Sequence, residues 1–271
     1  IGFLAVTYLA RTLGPENMGI LAVGTAILTF TSIVNNMGLP LLGVRSVAAK
    51  TGSIRNLVKN ICSARLLLSI IAFVISTAII VLGVKEQRTR IVAIMYLITL
   101  FPSSLMLEWV FQGLSKMKTL AIGRILGMLT YLLFVVGMVS NSEDLYWVPF
   151  AWSFGFLIQT FYLWIQYKKI SNLDNSEKKN LHLFEIIRQG IPLGMATFIS
   201  QIITQFPFIY LGFFDTVENT GLYSVAFRAI LLMLVIDRVF YTIFYPAVSR
   251  SFNDSSEHLT ERIEWTLKII T

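Results

Sequence analysis

Hydroxyl and amide groups follow one face of an apolar segment near the start of the chain. They belong to Thr25, Thr29, Ser32 and Asn36. At 100° per residue of a helix, these four positions fall within about 60° of one another. Such groups either bond back to their own helix and pack against neighbouring helices, or line a water-filled cavity that binds a polar substrate. Back-bonding is the more common outcome for any single Ser or Thr.

Two later apolar segments carry further polar groups. Gln201 and Gln205 lie on one side of residues 187–214, and Arg228 and Arg238 belong to a stripe about 80° wide on residues 221–248. An arginine that deep in a membrane costs a few kcal/mol unless it faces water, protein or an anion. Its fork of donors suits phosphate. Asp237 points away from the stripe, and the alternative for each arginine is an ion pair with an acid on another helix.

The first half of the chain holds fewer charges inside its apolar segments. Glu108 is the one acid well inside such a segment there, and it is a candidate proton or cation site. The alternative is interfacial anchoring, or pairing with Arg124 or Arg65. Arg45, Arg65 and Arg124 lie near predicted cytoplasmic ends, where long side chains snorkel to the interface. Each could also ring the mouth of a cavity.

Other chemistry has little support in the sequence. Cys62 is the single cysteine, and His182 and His258 lie in polar stretches, which argues against a metal site or a Cys/His nucleophile pair. The chain has no Walker lysine motif, no G-x-S-x-G elbow and no Gly-rich nucleotide loop. We therefore expect a protein that is not an enzyme and does not drive transport with ATP by itself.

Composition identifies the elements that must position these groups. Hydrophobic residues make up 55% of the chain, charged residues 14%, and the mean hydropathy is +0.71. A soluble domain has too little interior for that much apolar surface. The net charge of +7 therefore reflects membrane topology and an anionic lipid surface rather than nucleic-acid binding.

Seven apolar runs are long enough to span a bilayer, which takes about 20 residues. They are residues 18–42, 57–84, 91–114, 119–140, 145–166, 187–214 and 221–248. Residues 1–10 and 261–271 resemble parts of two further helices. Basic residues are concentrated in the second, fourth, sixth and eighth connections, which predicts that these connections are cytoplasmic. Lys85, Arg88 and Arg90 form the one discordant cluster.

A repeated junction predicts two halves. Tyr8-Leu9-x6-Glu16-Asn17-x-Gly19-Ile20-x2-Val23 recurs from Tyr210, and six of the sixteen aligned positions are identical. Internal repeats of membrane segments are common in transporters. We expect an all-α polytopic membrane protein of two six-helix bundles, the second truncated here. The predicted boundaries are 1–167 for the first bundle, 168–186 for a cytoplasmic linker and 187–271 for the start of the second.

Five stretches of the chain resemble the polysaccharide transporter family, which includes the O-antigen flippases. They are Arg11-x-Leu13-Gly14-Pro15-Glu16-x2-Gly19, Gly38-Leu39-Pro40-x4-Arg45, Glu108-Trp109-x-Phe111-Gln112-Gly113-x2-Lys116, Gly190-x-Pro192-Leu193-Gly194 and Gly221-Leu222-Tyr223-Ser224-x-Ala226-x-Arg228. Their order relative to the predicted helices strengthens the match. One departure is Pro207, which stands shortly before Leu211-Gly212, where family members often have an acid.

The resemblance implies two six-helix lobes around a central cavity, and alternating access. It implies a multi-pass protein of the bacterial or archaeal cytoplasmic membrane. Its substrate would be an oligosaccharide on an undecaprenyl pyrophosphate carrier, as in O-antigen and lipopolysaccharide biosynthesis. A polysaccharide polymerase and a chain-length regulator are candidate partners. No cofactor or nucleic acid is expected, and a proton or sodium gradient is a candidate energy source. The alternative is export of lipid II or cationic drugs by the same fold, although a drug exporter would need more buried carboxylates than Glu108.

Overall fold

The computed structural model describes residues 2–49, 53–171, 188, 192, 194–195, 199, 202, 205–212, 214–216, 218–227 and 229–231. The chain divides into two compact units, Ile1–Ser224 and Val225–Thr271. The elements of the first unit are α1 (Gly2–Asn36), α2 (Leu39–Ala48), α3 (Ile54–Gly83), α4 (Gln87–Leu97), α5 (Leu100–Ser104), α6 (Glu108–Gly113), α7 (Met117–Met138), a 3-10 turn (Ser142–Tyr146) and α8 (Trp147–Ser171). Residues 205–212 and 218–227 are also helical, and none of the described residues forms a strand.

Four helical stretches are long and apolar enough to cross a membrane. They are Leu4–Asn36, Ile54–Gly83, Met117–Met138 and Ser142–Ile170. Large apolar side chains remain exposed along α3 and α7, as expected for helices that face lipid. The prediction of an all-α polytopic membrane protein is therefore confirmed. The boundaries of the two predicted bundles stay predictions, since most of residues 168–186 lie outside the described part of the chain.

The kink at Gly14 places the repeated junction inside α1. Gly14 has φ 76°, which favours glycine because it has no Cβ, and Pro15 follows it at the start of the next helical segment. The second segment ends at Asn36, before the left-handed residues Met37 and Gly38. The predicted span 18–42 is thus too long, because the chain turns there and begins α2 as a separate helix.

The predicted span 91–114 is also divided. It forms α4, α5 and α6 rather than one helix. Pro102 has no N–H to bond the carbonyl of Ile98, so the helical ladder is interrupted there. Tighter bonds replace it, from the Thr99 N–H to the Tyr96 carbonyl at 3.0 Å and from the Phe101 N–H to the Ile98 carbonyl at 3.2 Å.

Close packing at small residues joins the helices into one body. The indole of Trp109 lies against Gly43 of α2, where a Cβ would overlap the ring. Gly127 of α7 and Gly155 of α8 meet backbone to backbone, so these two helices approach closely. Trp109 belongs to an apolar cluster that α2, α3, α6 and α8 share. These contacts fix the helices that carry the polar groups.

Two bases of the discordant cluster have local partners. Arg90 donates from Nε and Nη2 to the carbonyl of Val84, at 3.3 and 2.9 Å, next to the end of α3. Arg88 lies 3.9 Å from the carboxylate of Glu143, on an exposed surface. Arg90 thus caps the end of α3, and Arg88 forms a surface ion pair. Both contacts are compatible with the predicted topology.

Candidate functional site

The polar face of α1 uses its hydroxyl protons within its own helix. Thr25 donates to the carbonyl of Leu21 at 2.9 Å, Thr29 to that of Thr25 at 2.8 Å, and Ser32 to that of Thr29 at 2.7 Å. The more common outcome expected for Ser and Thr is therefore observed. The oxygen lone pairs still face outward from the helix and can accept hydrogen bonds.

The polar face is a partly exposed strip between two buried faces. Thr25, Thr29, Ser32 and Asn36 are all partly exposed. About 100° round the helix on one side, Thr31 and Asn35 are buried, and about 80° round on the other side Ala26 and Ile33 are buried. The strip is accessible in the described part of the chain. A role of its residues in lining a cavity stays a prediction.

Arg65 of α3 meets the inner end of the strip. It is 4% exposed and lies eleven residues, or about 17 Å, from the start of α3. Its Nη2 donates to Oδ1 of Asn36 at 2.8 Å and to the carbonyl of Ser103 at 2.6 Å, and its Nη1 donates to the carbonyl of Met106 at 3.2 Å. The expectation that Arg65 snorkels to the interface is wrong, because broken-helix carbonyls hold it inside the protein.

A polar network surrounds the break in the helix. Asn35 donates to Oγ of Ser103 at 3.0 Å and accepts from Ser69 at 2.9 Å. From the other side, Thr160 donates to the carbonyl of Pro102 at 3.1 Å, and the indole of Trp164 donates to the carbonyl of Leu105 at 2.9 Å. Irregular backbone at membrane depth is tolerated only when its polar groups are satisfied in this way.

One signal in the sequence indicates that the helix is broken here. Pro102, followed by Ser103 and Ser104 in the middle of an apolar run, is an unusual place for a straight membrane helix. The sequence does not show which side chains supply the missing hydrogen bonds, because Arg65 and Trp164 come from distant parts of the chain.

The carboxylate of Glu108 forms an ion pair. It begins α6, and Arg124 of α7 grips its carboxylate with Nε to Oε1 at 2.9 Å and Nη2 to Oε2 at 2.7 Å. The amide of Gln159 on α8 donates to the same Oε1. The alternative of pairing with Arg124 is therefore observed. A role for Glu108 in ion coupling stays a prediction, as does a cavity-mouth role for Arg45, which lies exposed on α2.

Residues from the predicted seventh span approach α1 at their glycines. A Cβ on Gly194 would lie 3.0 Å from backbone atoms of Met37, and one on Gly212 would overlap the side chain of Val23. Gln205, which lies between these two glycines in sequence, is partly exposed.

The two copies of the repeated junction also meet, and they differ in detail. A Cβ on Gly221 would overlap the carbonyl of Pro15. Asn17 is buried and donates to the carbonyls of Leu13 and Ser142, both at 3.1 Å. Its counterpart Asn219 is exposed and donates to the carboxylate of Asp215, at 3.1 and 3.3 Å. The repeat is a similarity between two stretches of sequence, and these two stretches lie in contact at Pro15 and Gly221.

Four of the predicted site residues lie outside the described part of the chain. They are Gln201, Arg228, Asp237 and Arg238. Their predicted roles rest on the sequence alone.

Comparison with known proteins finds two relatives that share one name. A protein of Shigella dysenteriae named "Putative O-antigen transporter" is 24% identical over 217 residues, which cover 78% of this chain and 54% of that protein. A protein of Escherichia coli K12 with the same name is 25% identical over 145 residues, or 52% of this chain and 35% of that protein. The chain thus spans about half the length, or less, of these relatives. No solved structure matches it significantly.

The family comparison covers more of the chain. The model of the family described as polysaccharide biosynthesis protein matches residues 1–252. That range contains all five stretches on which the resemblance was based. With nearly the whole chain matched, the protein belongs to the polysaccharide biosynthesis protein family.

Proposed function

We propose that the protein is a flippase for an oligosaccharide linked to undecaprenyl pyrophosphate. The observation that carries this proposal is the family match over residues 1–252, together with two relatives that are named O-antigen transporters. The substrate would be a repeat unit of O-antigen or another surface polysaccharide. It would cross from the cytoplasmic to the outer leaflet by alternating access.

The charges support an anionic headgroup over a cationic substrate. The polar strip of α1 has no carboxylate, and Glu108 is engaged by Arg124 and Gln159. A cation exporter needs acidic groups free to face its cargo. A pyrophosphate instead needs cations in a low-dielectric cavity, and Arg228 and Arg238 are the residues we assign to it.

Energy coupling and partners complete the proposal. A proton or sodium gradient would drive the cycle, with Glu108 and Asp237 as the candidate coupling acids. Surface polysaccharides are assembled from repeat units, so a polymerase and a chain-length regulator would act on the product. The polyprenyl tail of the substrate would stay in the lipid bilayer throughout the cycle.

The test is a substitution at Arg228 in cells that depend on this protein for surface glycan. With Arg228→Gln we expect display to fall about 10- to 100-fold, since a charge-assisted hydrogen bond to phosphate is lost. Arg228→Lys should retain part of the activity. Arg188→Gln is the matched control, because Arg188 is exposed.

Two results would count against the proposal. Normal display by Arg228→Gln at normal protein levels would remove Arg228 from the headgroup site. Sensitivity of a deletion strain to cationic dyes, with unchanged surface glycan, would favour a drug exporter instead.

A further inference from the structure

The exposed face of α3 carries two basic residues near the start of the helix. Arg55 and Lys59 are both exposed, and they lie about 40° from each other round the helix, one turn apart. Lys59 is five residues from Ile54, the first residue of α3, or about 8 Å along the axis. Neither side chain forms an ion pair with a described residue. The two charges therefore share one face, close to one end of a helix that is long enough to cross a membrane.

The same face continues as an apolar row towards the middle of α3. Leu66, Ile70 and Val74 form this row, and they are 36%, 48% and 61% exposed. At 100° per residue, all three lie within about 100° of Arg55. The buried residues of α3, such as Ile61, lie on the opposite face and pack against the protein. The bases and the apolar row thus form one continuous surface that no described part of the chain covers.

The length of this surface matches one leaflet of a bilayer. Ile70 is eleven residues from Lys59, or about 17 Å along the axis, and half of a hydrocarbon core of roughly 30 Å is about 15 Å. A lipid whose headgroup lies at the two bases therefore places its acyl chains along Leu66 and Ile70. A soluble anion would contact the bases and leave the apolar row bare. The spacing thus favours a lipid over a free phosphate or an acidic peptide.

The positive charge at this end of α3 has no acidic residue near it in sequence. Residues 37–84, which include α2 and α3, contain no Asp and no Glu. Beyond the other end of α3, Lys85 and Arg88 are also exposed, but Glu86 lies between them and Arg88 is 3.9 Å from Glu143. The first end therefore attracts anions, whereas the charges at the second end nearly balance. Basic residues beside a membrane attract the acidic phospholipids of the cytoplasmic leaflet.

We propose that Arg55 and Lys59, together with the apolar row, bind a phospholipid with an anionic headgroup. We call this surface the α3 lipid site. The two bases hold the phosphate of the headgroup, and the row accommodates the acyl chains. The site does not depend on the substrate that the protein transports, because it lies on the face of α3 that points away from the rest of the chain. Lipid bound there stabilises the folded protein, since it binds the native helix and not the unfolded chain.

The test measures thermal unfolding of the native full-length protein in a neutral detergent as phosphatidylglycerol is added to the micelles. The unfolding temperature of the wild type should rise with the mole fraction of this lipid, and phosphatidylcholine should have a smaller effect. The double variant combines Arg55→Gln with Lys59→Gln. We expect it to need an about 5- to 30-fold higher mole fraction for half of the stabilisation, because two charges are lost. Both side chains are exposed, so without lipid the variant should unfold like the wild type.

The matched control combines Lys85→Gln with Arg88→Gln, which removes two exposed bases from beyond the other end of α3. Its response to phosphatidylglycerol should equal that of the wild type. Glycerol phosphate is the control for the acyl chains, and it should leave the unfolding temperature unchanged because it cannot use the apolar row. If the double variant accumulates poorly, Lys59→Gln alone serves as the second variant, with an expected increase of about 2- to 5-fold.

Three results would overturn the α3 lipid site. The first is an equal response of the double variant and the matched control. The second is stabilisation by glycerol phosphate that equals stabilisation by phosphatidylglycerol. The third is stabilisation by undecaprenyl phosphate without any effect of phosphatidylglycerol, which would assign this face to the carrier of the substrate. A loss of the phosphatidylglycerol response in the double variant alone supports the site, and the flippase proposal is tested separately by glycan display.

Discussion

Replacing Arg65 by Met tests whether this buried guanidinium holds the broken helix together. Met has a similar length and no donors, so the substitution leaves Oδ1 of Asn36 and the carbonyl of Met106 without the donors they have now. The carbonyl of Ser103 keeps one bond, from the N–H of Met106 at 3.2 Å. The damage is thus confined to two partly buried acceptors and one weakened third.

The magnitude follows from these three bonds. A fully buried acceptor that loses its partner costs about 1–3 kcal/mol, and a partly exposed one costs less because water can replace the donor. Part of that cost is offset, because the buried charge and its desolvation penalty disappear with the guanidinium. We expect a net loss of about 1–3 kcal/mol for Arg65→Met. Arg65→Lys keeps the charge but cannot bridge three acceptors, so it should lie between Met and the wild type.

The assay is thermal unfolding of the detergent-solubilised protein, followed by loss of the monodisperse peak. The expected shift is roughly 2–12 °C for Arg65→Met. Arg55→Met is the control, since Arg55 is exposed in the first turn of the same helix and should change stability by less than about 0.5 kcal/mol. If Arg65→Met unfolds at the same temperature as Arg55→Met, the carbonyls at the break do not depend on Arg65.

Two further predictions concern contacts around this core. A double-mutant cycle with Glu108→Gln and Arg124→Gln, measured by thermal unfolding, should give a coupling of about 1 kcal/mol, because the pair is bidentate but half of the Arg124 side chain is exposed. A coupling near zero would mean that the pair adds nothing to stability. Gly221→Ala should slow glycan display and lower thermal stability, since its Cβ would overlap the carbonyl of Pro15, whereas Gly137→Ala meets open space and should do neither. Equal behaviour of the two alanine variants would remove the contact between the junction copies.

The sequence alone predicted the features that depend on a regular pattern along one helix. Apolar runs of about 20 residues predict spans, and α3, α7 and α8 confirm three of them within a few residues. The junction that contains Gly14-Pro15 was visible because its sequence recurs from Tyr210 and because it joins two apolar runs. The polar face of α1 followed from its spacing, and its hydroxyls bond as helix geometry favours.

What the sequence could not show depends on contacts between distant segments. Arg65 was placed at an interface because its position along a single helix allows snorkelling. Its partners on Asn36 and Ser103 come from two other elements, and no periodicity reveals them. The break at Pro102 likewise needed a set of donors from α3 and α8 before it could be stable. Glu108 had two arginines within reach, and only the fold decides that Arg124 is the one that grips it.

The broken helix also sets an order for building the protein in the membrane. The carbonyls of Pro102 and Leu105 are satisfied by Thr160 and Trp164, which follow 58 and 59 residues later in the chain. At roughly 5–20 residues per second, a ribosome needs about 3–12 s to supply those donors. Bare carbonyls cannot face lipid during that interval. Until α8 has been synthesised, these carbonyls need water or another protein group as a hydrogen-bond partner. We therefore expect residues 91–114 to reach their final position in the membrane only after α8 has been inserted.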